Sequence, residues 1–243
     1  MTSSPWDHIE RAHQGLPRGS LLDAGTGLRS SRWAADFAER CWTGVTASAE
    51  RAVEVVTADK GRLVVGCWSD SNLLRGEVYD VVLAHYLLGA LERFSPYFEG
   101  HLFARLRPLV GGRLYVVGVQ PVLQPATEEE SAVSELMSFR DACYLLNGGR
   151  AYREYPLDWT LSSLAQSGFR VLETRQFPNL YGRPYIDNLT ESCQAEISLL
   201  DETVAAGLRC RLAALRSKCL DLLAVGGTLW WSFDYLVVCE VAT

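Results

Sequence analysis

Residues 21–28 read Leu21-Leu22-Asp23-Ala24-Gly25-Thr26-Gly27-Leu28, and this stretch decides the fold. Two apolar residues lead into an acid, and two glycines one residue apart follow it. Residues 32–40 are typical of a helix, so the pattern predicts a strand, a tight turn and a helix. Glycine suits such a turn because it tolerates positive φ and lets a ligand approach the backbone without a Cβ in the way. The N–H groups that begin the helix would then face this ligand.

The acid before the glycines indicates what kind of ligand the turn suits. Dinucleotide-binding loops read G-x-G-x-x-G and place a pyrophosphate at the helix N-terminus. Here Ser30 stands at the position of the third glycine, and Asp23 would repel a pyrophosphate. A carboxylate at this place favours a cation instead. The alternative is an ordinary strand-to-helix turn in which Asp23 caps nearby N–H groups.

The turn resembles the first motif of the class I S-adenosylmethionine-dependent methyltransferases, an acid-x-Gly-x-Gly sequence at the end of the first strand. A second similarity lies at residues 102–114, where a helix ends in Leu-x-Pro and a Gly-Gly turn leads into another strand. Together the two similarities cover residues 20–120. The resemblance implies S-adenosylmethionine (SAM) as cofactor, with Asp23 near the ammonium group of its methionine part, directly or through water. The cofactor would lie on the turn formed by Gly25, Thr26 and Gly27.

Strands and helices alternate along the chain, which predicts a parallel α/β sheet. The predicted strands are residues 21–23, 42–47, 62–66, 79–84, 113–119, 169–175 and 228–241. The predicted helices are residues 5–13, 32–40, 49–58, 87–106 with a break near Pro96, 127–146 and 156–167. The resemblance implies a Rossmann-like, doubly wound, mostly parallel seven-stranded sheet whose last strand is antiparallel. We therefore expect a single domain over 1–243, with a core at 17–177 and 228–243 and a helical insertion at 185–225.

Loops at the carboxyl ends of the strands are predicted to meet at one edge of the sheet, where ligands bind in open sheets of this kind. In the family, the ribose is bound after the second strand, the adenine after the third, and the junction of cofactor and substrate lies after the fourth. The resemblance therefore implies four further cofactor-binding residues: Thr46, Trp68, Ser69 and His85. Thr46 replaces the usual ribose-binding acid, and Glu50 can substitute for it. Alternatively, Trp68 fills the core and Asp70 caps a following helix.

The candidate catalytic residues begin with His85 and Tyr86, directly after the buried fourth strand. An unperturbed histidine pKa near 6.5 suits a general base, which methyl transfer needs only if the nucleophile carries a proton. A structural histidine is the alternative. Three more candidates lie in segments rich in Tyr and Arg: Tyr152, Tyr181 and Arg183. Arg183 can clamp a substrate carboxylate and the tyrosines can favour a cation, or these residues pack the insertion onto the sheet.

Composition and charge narrow the class of partner. The formal net charge is −6 and Lys and Arg are not clustered, which argues against a nucleic-acid-binding face. Seven cysteines without a C-x-x-C pair favour reduced thiols in a cytoplasm. The first residues lack a basic segment followed by an apolar run, and no stretch approaches the roughly 18 apolar residues of a membrane span. We therefore expect a cytoplasmic protein with neither a nucleic-acid nor a membrane partner, and no group of residues calls for a metal.

The leucine-rich insertion must bury its apolar side chains against something. Packing on its own domain is one interpretation, and a homodimer formed through the insertion is the other.

Three functions remain open. The leading one is transfer of a methyl group from SAM to a small organic molecule at N, O or S. The second is a non-catalytic homologue that acts as a cofactor-binding or partner subunit, which Thr46 at the ribose position keeps open. The third is a nicotinamide-dependent oxidoreductase, which Asp23 and the missing third glycine disfavour.

Overall fold

The structure, a computed structural model, describes residues 4–55 and 61–242. The strands are β1 (Ser20–Asp23), β2 (Cys41–Thr46), β3 (Gly61–Val65), β4 (Tyr79–His85), β5 (Val110–Val119), β6 (Phe169–Tyr181) and β7 (Leu229–Val241). The α-helices are α1 (Pro5–Ala12), α2 (Leu28–Phe37), α3 (Ala49–Glu54), α4 (Leu87–Phe94), α5 (Leu102–Leu106), α6 (Glu128–Leu146), α7 (Leu157–Gln166), α8 (Arg183–Ile197) and α9 (Glu202–Gly226). None of the helices in the described ranges combines the length and the apolar character that a membrane crossing requires.

The seven strands form one sheet in the order β3-β2-β1-β4-β5-β7-β6. Strands β1 to β5 pair in parallel, and β7 runs antiparallel to β5. The strand order reverses at β1 and β4, where two crossovers wind in opposite directions from the middle of the sheet. The predicted Rossmann-like, doubly wound sheet with an antiparallel last strand is confirmed.

Several element boundaries differ from the prediction. Helix α2 begins at Leu28, directly after the glycine turn, rather than at residue 32. The segment 87–106 forms two short helices, α4 and α5, joined by irregular chain around Pro96 and a 3-10 turn. Strand β6 continues to Tyr181, beyond the predicted end at 175, and Pro178 is tolerated because β6 is an edge strand. The predicted end of the third helix, at Ala58, lies outside the described residues.

Contacts between residues divide the chain into two units. The first contains Met1–Gln120, Arg153–Phe177 and Asp234–Thr243, and the second contains Pro121–Tyr152 and Pro178–Phe233. The insertion at 185–225 falls within the second unit, which also holds helix α6.

The second unit is built on three helices, α6, α8 and α9, each of which packs against the other two. Its buried positions include Leu136, Cys193 and Leu212. The predicted insertion therefore forms two helices, and its Leu212, Leu215 and Leu223 are buried, whereas Leu199 is exposed.

In the first unit, the Gly-Gly turn before β5 has a steric cause. The pairing of β4 with β5 is irregular between Tyr79 and Val81, opposite the glycines. A Cβ on Gly112 would overlap the carbonyl oxygen of Asp80, so the two backbones approach too closely for any larger residue.

Replacing Gly112 by alanine is expected to lower the free energy of unfolding by about 1–3 kcal/mol, because the strands must separate to admit the methyl group. Urea denaturation measures the change. Gly100→Ala is the matched control, since a Cβ there meets none of the described atoms within 4 Å. Equal stability of the two variants would contradict the steric explanation.

Candidate active site

The carboxyl ends of β1, β2, β3 and β4 lie at one edge of the first unit because these strands are parallel neighbours. Backbone hydrogen bonds continue past the strand ends and tie the loops together. The Thr26 N–H donates to the Val45 carbonyl at 2.8 Å, and the Ala24 N–H donates to the Leu83 carbonyl at 2.8 Å. The glycine turn is thus fixed between the ends of β2 and β4.

Asp23, the last residue of β1, is fully buried, at 0% exposure. No atom of the described residues makes a hydrogen bond to either of its carboxylate oxygens. The hydroxyls of Thr26 and Ser30 are close, but they donate instead to the carbonyls of Asp23 and Gly27. Burial raises the pKa of Asp23 to about 6, and this rise outweighs the lowering effect of Ser30, Thr26 and the Gly25 N–H. A buried carboxylate without a donor is costly for a fold to keep, so it marks a place where a ligand can supply one.

The two glycines of the turn do not have the positive φ that the sequence predicted. A Cβ on Gly25 would lie 3.1 Å from the Cβ of Leu87, so this glycine allows close packing of the turn on α4. Gly27 is extended, with φ −132°, and precedes the first turn of α2. A Cβ on Gly27 would meet no atom of residues 4–55 or 61–242 within 4 Å, so open space lies beside the helix N-terminus. This space can admit a ligand close to the backbone, as the sequence analysis predicted for a glycine in this turn.

Thr46, at the end of β2, is buried, and its Oγ1 accepts a hydrogen bond from the Ser48 N–H at 3.3 Å. The nearby acid, Glu50, is exposed, and its carboxylate accepts a bond from the Ser48 hydroxyl at 3.4 Å. A carboxylate is therefore present beyond β2, one turn later than in the family pattern.

Trp68, in the loop after β3, is 3% exposed, and its indole N–H donates to the Ala24 carbonyl at 2.7 Å. The ring therefore packs against the backbone of the glycine turn. Ser69 is exposed, with its hydroxyl 3.4 Å from that of Ser95. Asp70 does not cap a helix as the alternative proposed, because residues 71–76 form turns, and it accepts a bond from the Asn72 N–H. Arg105 donates hydrogen bonds to carbonyls of this loop, and its guanidinium carbon lies 5.8 Å from the centroid of the Trp68 ring.

His85 ends β4 and lies in a stack of aromatic rings. Its ring centroid is 4.4 Å from that of Trp6 on α1 and 4.2 Å from that of Tyr86. Trp6 also contacts Trp33 on α2, at 5.1 Å. Burial, with a smaller effect of the Arg29 charge, lowers the pKa of His85 to about 3. The imidazole is therefore neutral at neutral pH, and it is a much weaker base than the sequence-based prediction assumed.

Tyr86 has a left-handed backbone, with φ 51°, immediately before α4. Its N–H donates to the Val117 carbonyl, and its hydroxyl donates to Asp234 Oδ2 at 2.5 Å. Strained backbone of this kind persists where the surroundings hold it, often at functional sites. Asp234 lies on β7 opposite Val119 and was missed by the sequence reasoning, as was Trp6. Trp6 lies in the predicted helix over 5–13, so its place on a helix could be read from the sequence. No local pattern in the sequence singles out Asp234.

The remaining candidates belong to the second unit. Tyr181, at the end of β6, stacks on Tyr185 with 3.7 Å between ring centroids and 4° between planes. Arg183 begins α8, and its guanidinium pairs with Asp187 Oδ2 at 3.4 Å. Tyr152 is partly buried at the end of the first segment of this unit. Tyr181 and Arg183 thus lie on regular elements rather than in the predicted loop, and a role for the three in catalysis stays a prediction.

Comparisons with known proteins give similarity in structure alone. No protein-family profile matches the sequence, and no curated protein matches it. A protein from Bacillus halodurans C-125, provisionally assigned as a methyltransferase, has 13% identity and a TM-score of 0.65 over 99% of this chain and 100% of its own. The mycolic acid cyclopropane synthase CmaA1, solved with S-adenosylhomocysteine (SAH) and CTAB, has 16% identity and a TM-score of 0.57 over 96% of this chain and 81% of its own. The [4+2]-cyclase SpnF has 16% identity and a TM-score of 0.54, over 98% and 80%.

Identities this low establish a shared fold and leave the reaction open. The match in fold extends over almost the whole chain in each of the three structures. It agrees with the strand order and with the antiparallel β7 described above. The chain has the fold of the class I S-adenosylmethionine-dependent methyltransferases.

Proposed function

We propose that this protein is a SAM-dependent methyltransferase that acts on a small organic acceptor at nitrogen, oxygen or sulfur. The observation that carries the proposal is Asp23, a fully buried carboxylate to which no atom of the described residues makes a hydrogen bond, at the start of the turn whose Gly27 borders open space. The ammonium group of the methionine part of SAM is a donor of the required charge. The contact would be made either directly or through one bridging water between carboxylate and ammonium.

Other residues of the first unit fit the rest of the cofactor. Arg29, the second residue of α2, is exposed next to the turn and suits the carboxylate of the methionine part. Thr46, with Glu50 beyond it, is the candidate for the ribose hydroxyls. Ser69 is the candidate for the polar edge of the adenine. Trp68 packs against the backbone of the glycine turn, since its ring is buried and its N–H donates to the Ala24 carbonyl.

When bound, the cofactor supplies a methyl group on a positively charged sulfur, ready for in-line displacement. The protein then has to position the acceptor and exclude water. The stack of Trp6, His85 and Tyr86 forms an apolar wall next to the turn. We expect His85 to contribute to this wall as a neutral ring rather than to act as the general base, because its pKa is lowered to about 3.

The second candidate function is a non-catalytic homologue that acts as a cofactor-binding or partner subunit. The burial of both Thr46 and Trp68 favours it, because these side chains then present little surface to ribose and adenine. In addition, SpnF has this fold and is named a [4+2]-cyclase, so the fold by itself does not imply methyl transfer.

Calorimetric titration with SAH, SAM and NADH distinguishes these functions. We expect SAH and SAM to bind and NADH not to bind, and labelled SAM to pass its methyl group to at least one member of a panel of amines, thioethers, phenols and carboxylates. Binding of SAH without any transfer would favour the non-catalytic homologue. Binding of NADH alone would refute both functions.

Replacing His85 by alanine is expected to reduce turnover while leaving cofactor affinity nearly intact, because one face of the aromatic wall is lost. Since the pKa of His85 is about 3, no step in the rate between pH 5 and 8 should depend on it. The pH profiles of the wild type and of His85→Ala test this expectation. Exposed His101→Ala is the matched control. A step near pH 6.5 that vanishes only in His85→Ala would restore the general-base role.

A further inference from the structure

The hydroxyl of Tyr86 is held in a fixed place beyond the ends of β4 and β5. The backbone of Tyr86 is bonded to Val117 of β5, and its hydroxyl donates to Asp234, which faces Val119 of β5. The oxygen-to-oxygen distance of 2.5 Å is that of a charge-assisted hydrogen bond. Tyr86 is 36% exposed and Asp234 is half-buried, so a molecule bound at this edge can reach the pair.

The hydrogen-bonding capacity of this pair is one-sided. A phenol has a single hydrogen, and that of Tyr86 is committed to Asp234, so its oxygen can only accept a further bond. An ionised Asp234 carboxylate also only accepts. A second carboxylate, that of Glu154, lies next to the first turn of α4. Its Oε2 is so close to Gly89 that a Cβ added to this glycine would be only 2.9 Å away. A molecule that binds to these oxygens must therefore present N–H or O–H donors.

The local charge has the sign that favours a cation. Burial is the largest cause that raises the pKa of Tyr86, followed by Asp234 and then by Glu154. Arg29 acts in the opposite direction and has the smallest effect of the four. The acidic side chains that act on the phenol oxygen are thus Asp234, which is hydrogen-bonded to it, and Glu154, and the aromatic face of Tyr86 adds attraction for a cationic ligand.

We infer that the methyl acceptor is a primary or secondary amine, whose N–H groups bind to the Tyr86 oxygen and to Asp234. This inference rests on the proposed methyltransferase function. The bound ammonium first loses one proton to water. The nitrogen lone pair then forms the N–C bond to the methyl group while the S–C bond breaks. The electron pair of the S–C bond stays on sulfur. The methylated nitrogen keeps the positive charge, so the full reaction releases one proton.

Matched acceptors test the inference. The panel uses pairs with one carbon skeleton, such as phenethylamine and 2-phenylethanol, together with thiol and carboxylic acid analogues, and follows transfer from labelled SAM. We expect the amines to exceed their alcohol analogues at least tenfold in kcat/KM. Methylation of no amine in the panel, or equal rates for amines and alcohols, would overturn the inference, whereas failure to bind SAH would count against the proposed function itself.

The variants Asp234→Asn and Tyr86→Phe locate the effect. Asp234→Asn keeps an oxygen for the Tyr86 hydroxyl but removes the charge, so we expect the KM for the amine to rise at least tenfold with the dissociation constant of SAH unchanged. Tyr86→Phe is expected to change the KM in the same direction. Glu240→Gln is the matched control, since this β7 acid pairs with Arg113 and Arg170. An unchanged KM in Asp234→Asn, or a change in SAH binding instead, would show that the pair does not recognise the acceptor.

Discussion

Replacing Asp23 by alanine is expected to weaken the binding of SAM at least tenfold, which corresponds to about 1.4 kcal/mol. The physical reason is that the carboxylate has no hydrogen-bond donor within the part of the chain that the structure describes, so the ligand satisfies it when the complex forms. Hydrogen bonds to charged groups contribute about 1.5–3 kcal/mol, and the variant loses this gain. Calorimetry on the purified variant measures the dissociation constants of SAM and SAH.

The control for this experiment is a second aspartate with a different environment. Asp80 accepts hydrogen bonds from the N–H and the hydroxyl of Ser20, at 2.7 and 2.9 Å, and is therefore already satisfied. Asp80→Ala is expected to lower stability and to leave the affinity for SAM unchanged. If Asp23→Ala binds SAM as tightly as the wild type, the assignment of Asp23 to the cofactor is wrong.

The stability of the unliganded protein is expected to carry a pH dependence that comes from Asp23. Its pKa is raised from 3.8 to about 6 in the folded state, so between these values the folded chain holds a proton that the unfolded chain has released. The contribution of Asp23 is therefore complete below pH 4 and is lost as the pH rises to about 6. The loss amounts to about 3 kcal/mol.

Urea denaturation of the wild type and of Asp23→Asn at several pH values between 4 and 7 measures this term as a difference. We expect Asp23→Asn to be the more stable protein at pH 7 and the difference to shrink toward pH 4. Asp80, whose pKa is lowered chiefly by the Ser20 N–H, should show the opposite sign, so that Asp80→Asn loses most stability at neutral pH. A difference between wild type and Asp23→Asn that does not vary with pH would contradict a raised pKa.

These two effects together describe a residue that is unfavourable for the empty fold and favourable for the complex. Such a balance is typical of binding sites, where function is retained at the expense of stability. It also separates Asp23 from an ordinary capping residue, because a cap would stabilise the protein without a ligand.

The parts of the fold that the sequence predicted correctly depend on local patterns. The strand, turn and helix around Asp23 follow from apolar residues, glycines and an amphipathic segment that are adjacent in the chain. The extension of β6 to Tyr181 was missed because Pro178 reads as a strand end. An edge strand tolerates proline, and that position becomes known only with the whole sheet.

The sequence predicted the position of the candidate site correctly, but it mispredicted the backbone conformation of its glycines and the pKa of its histidine. Asp23, Gly27 and His85 do lie at one edge because parallel strands share a direction. The positive φ expected at the glycines and the ordinary pKa expected for His85 were wrong: Gly25 packs closely on Leu87 without a positive φ, and burial in a stack with Trp6 lowers the pKa of His85. Asp234 is 148 residues from Tyr86 in the chain, so its hydrogen bond to the phenol could not be inferred from spacing.

A crystal structure of the protein with SAH tests the central claim most directly. We expect the methionine part to lie on the turn at Gly27, with its ammonium nitrogen within about 6 Å of an Asp23 oxygen, the reach of two hydrogen bonds through one water. Density for SAH elsewhere, or with its adenine rather than its ammonium at this turn, would contradict the account.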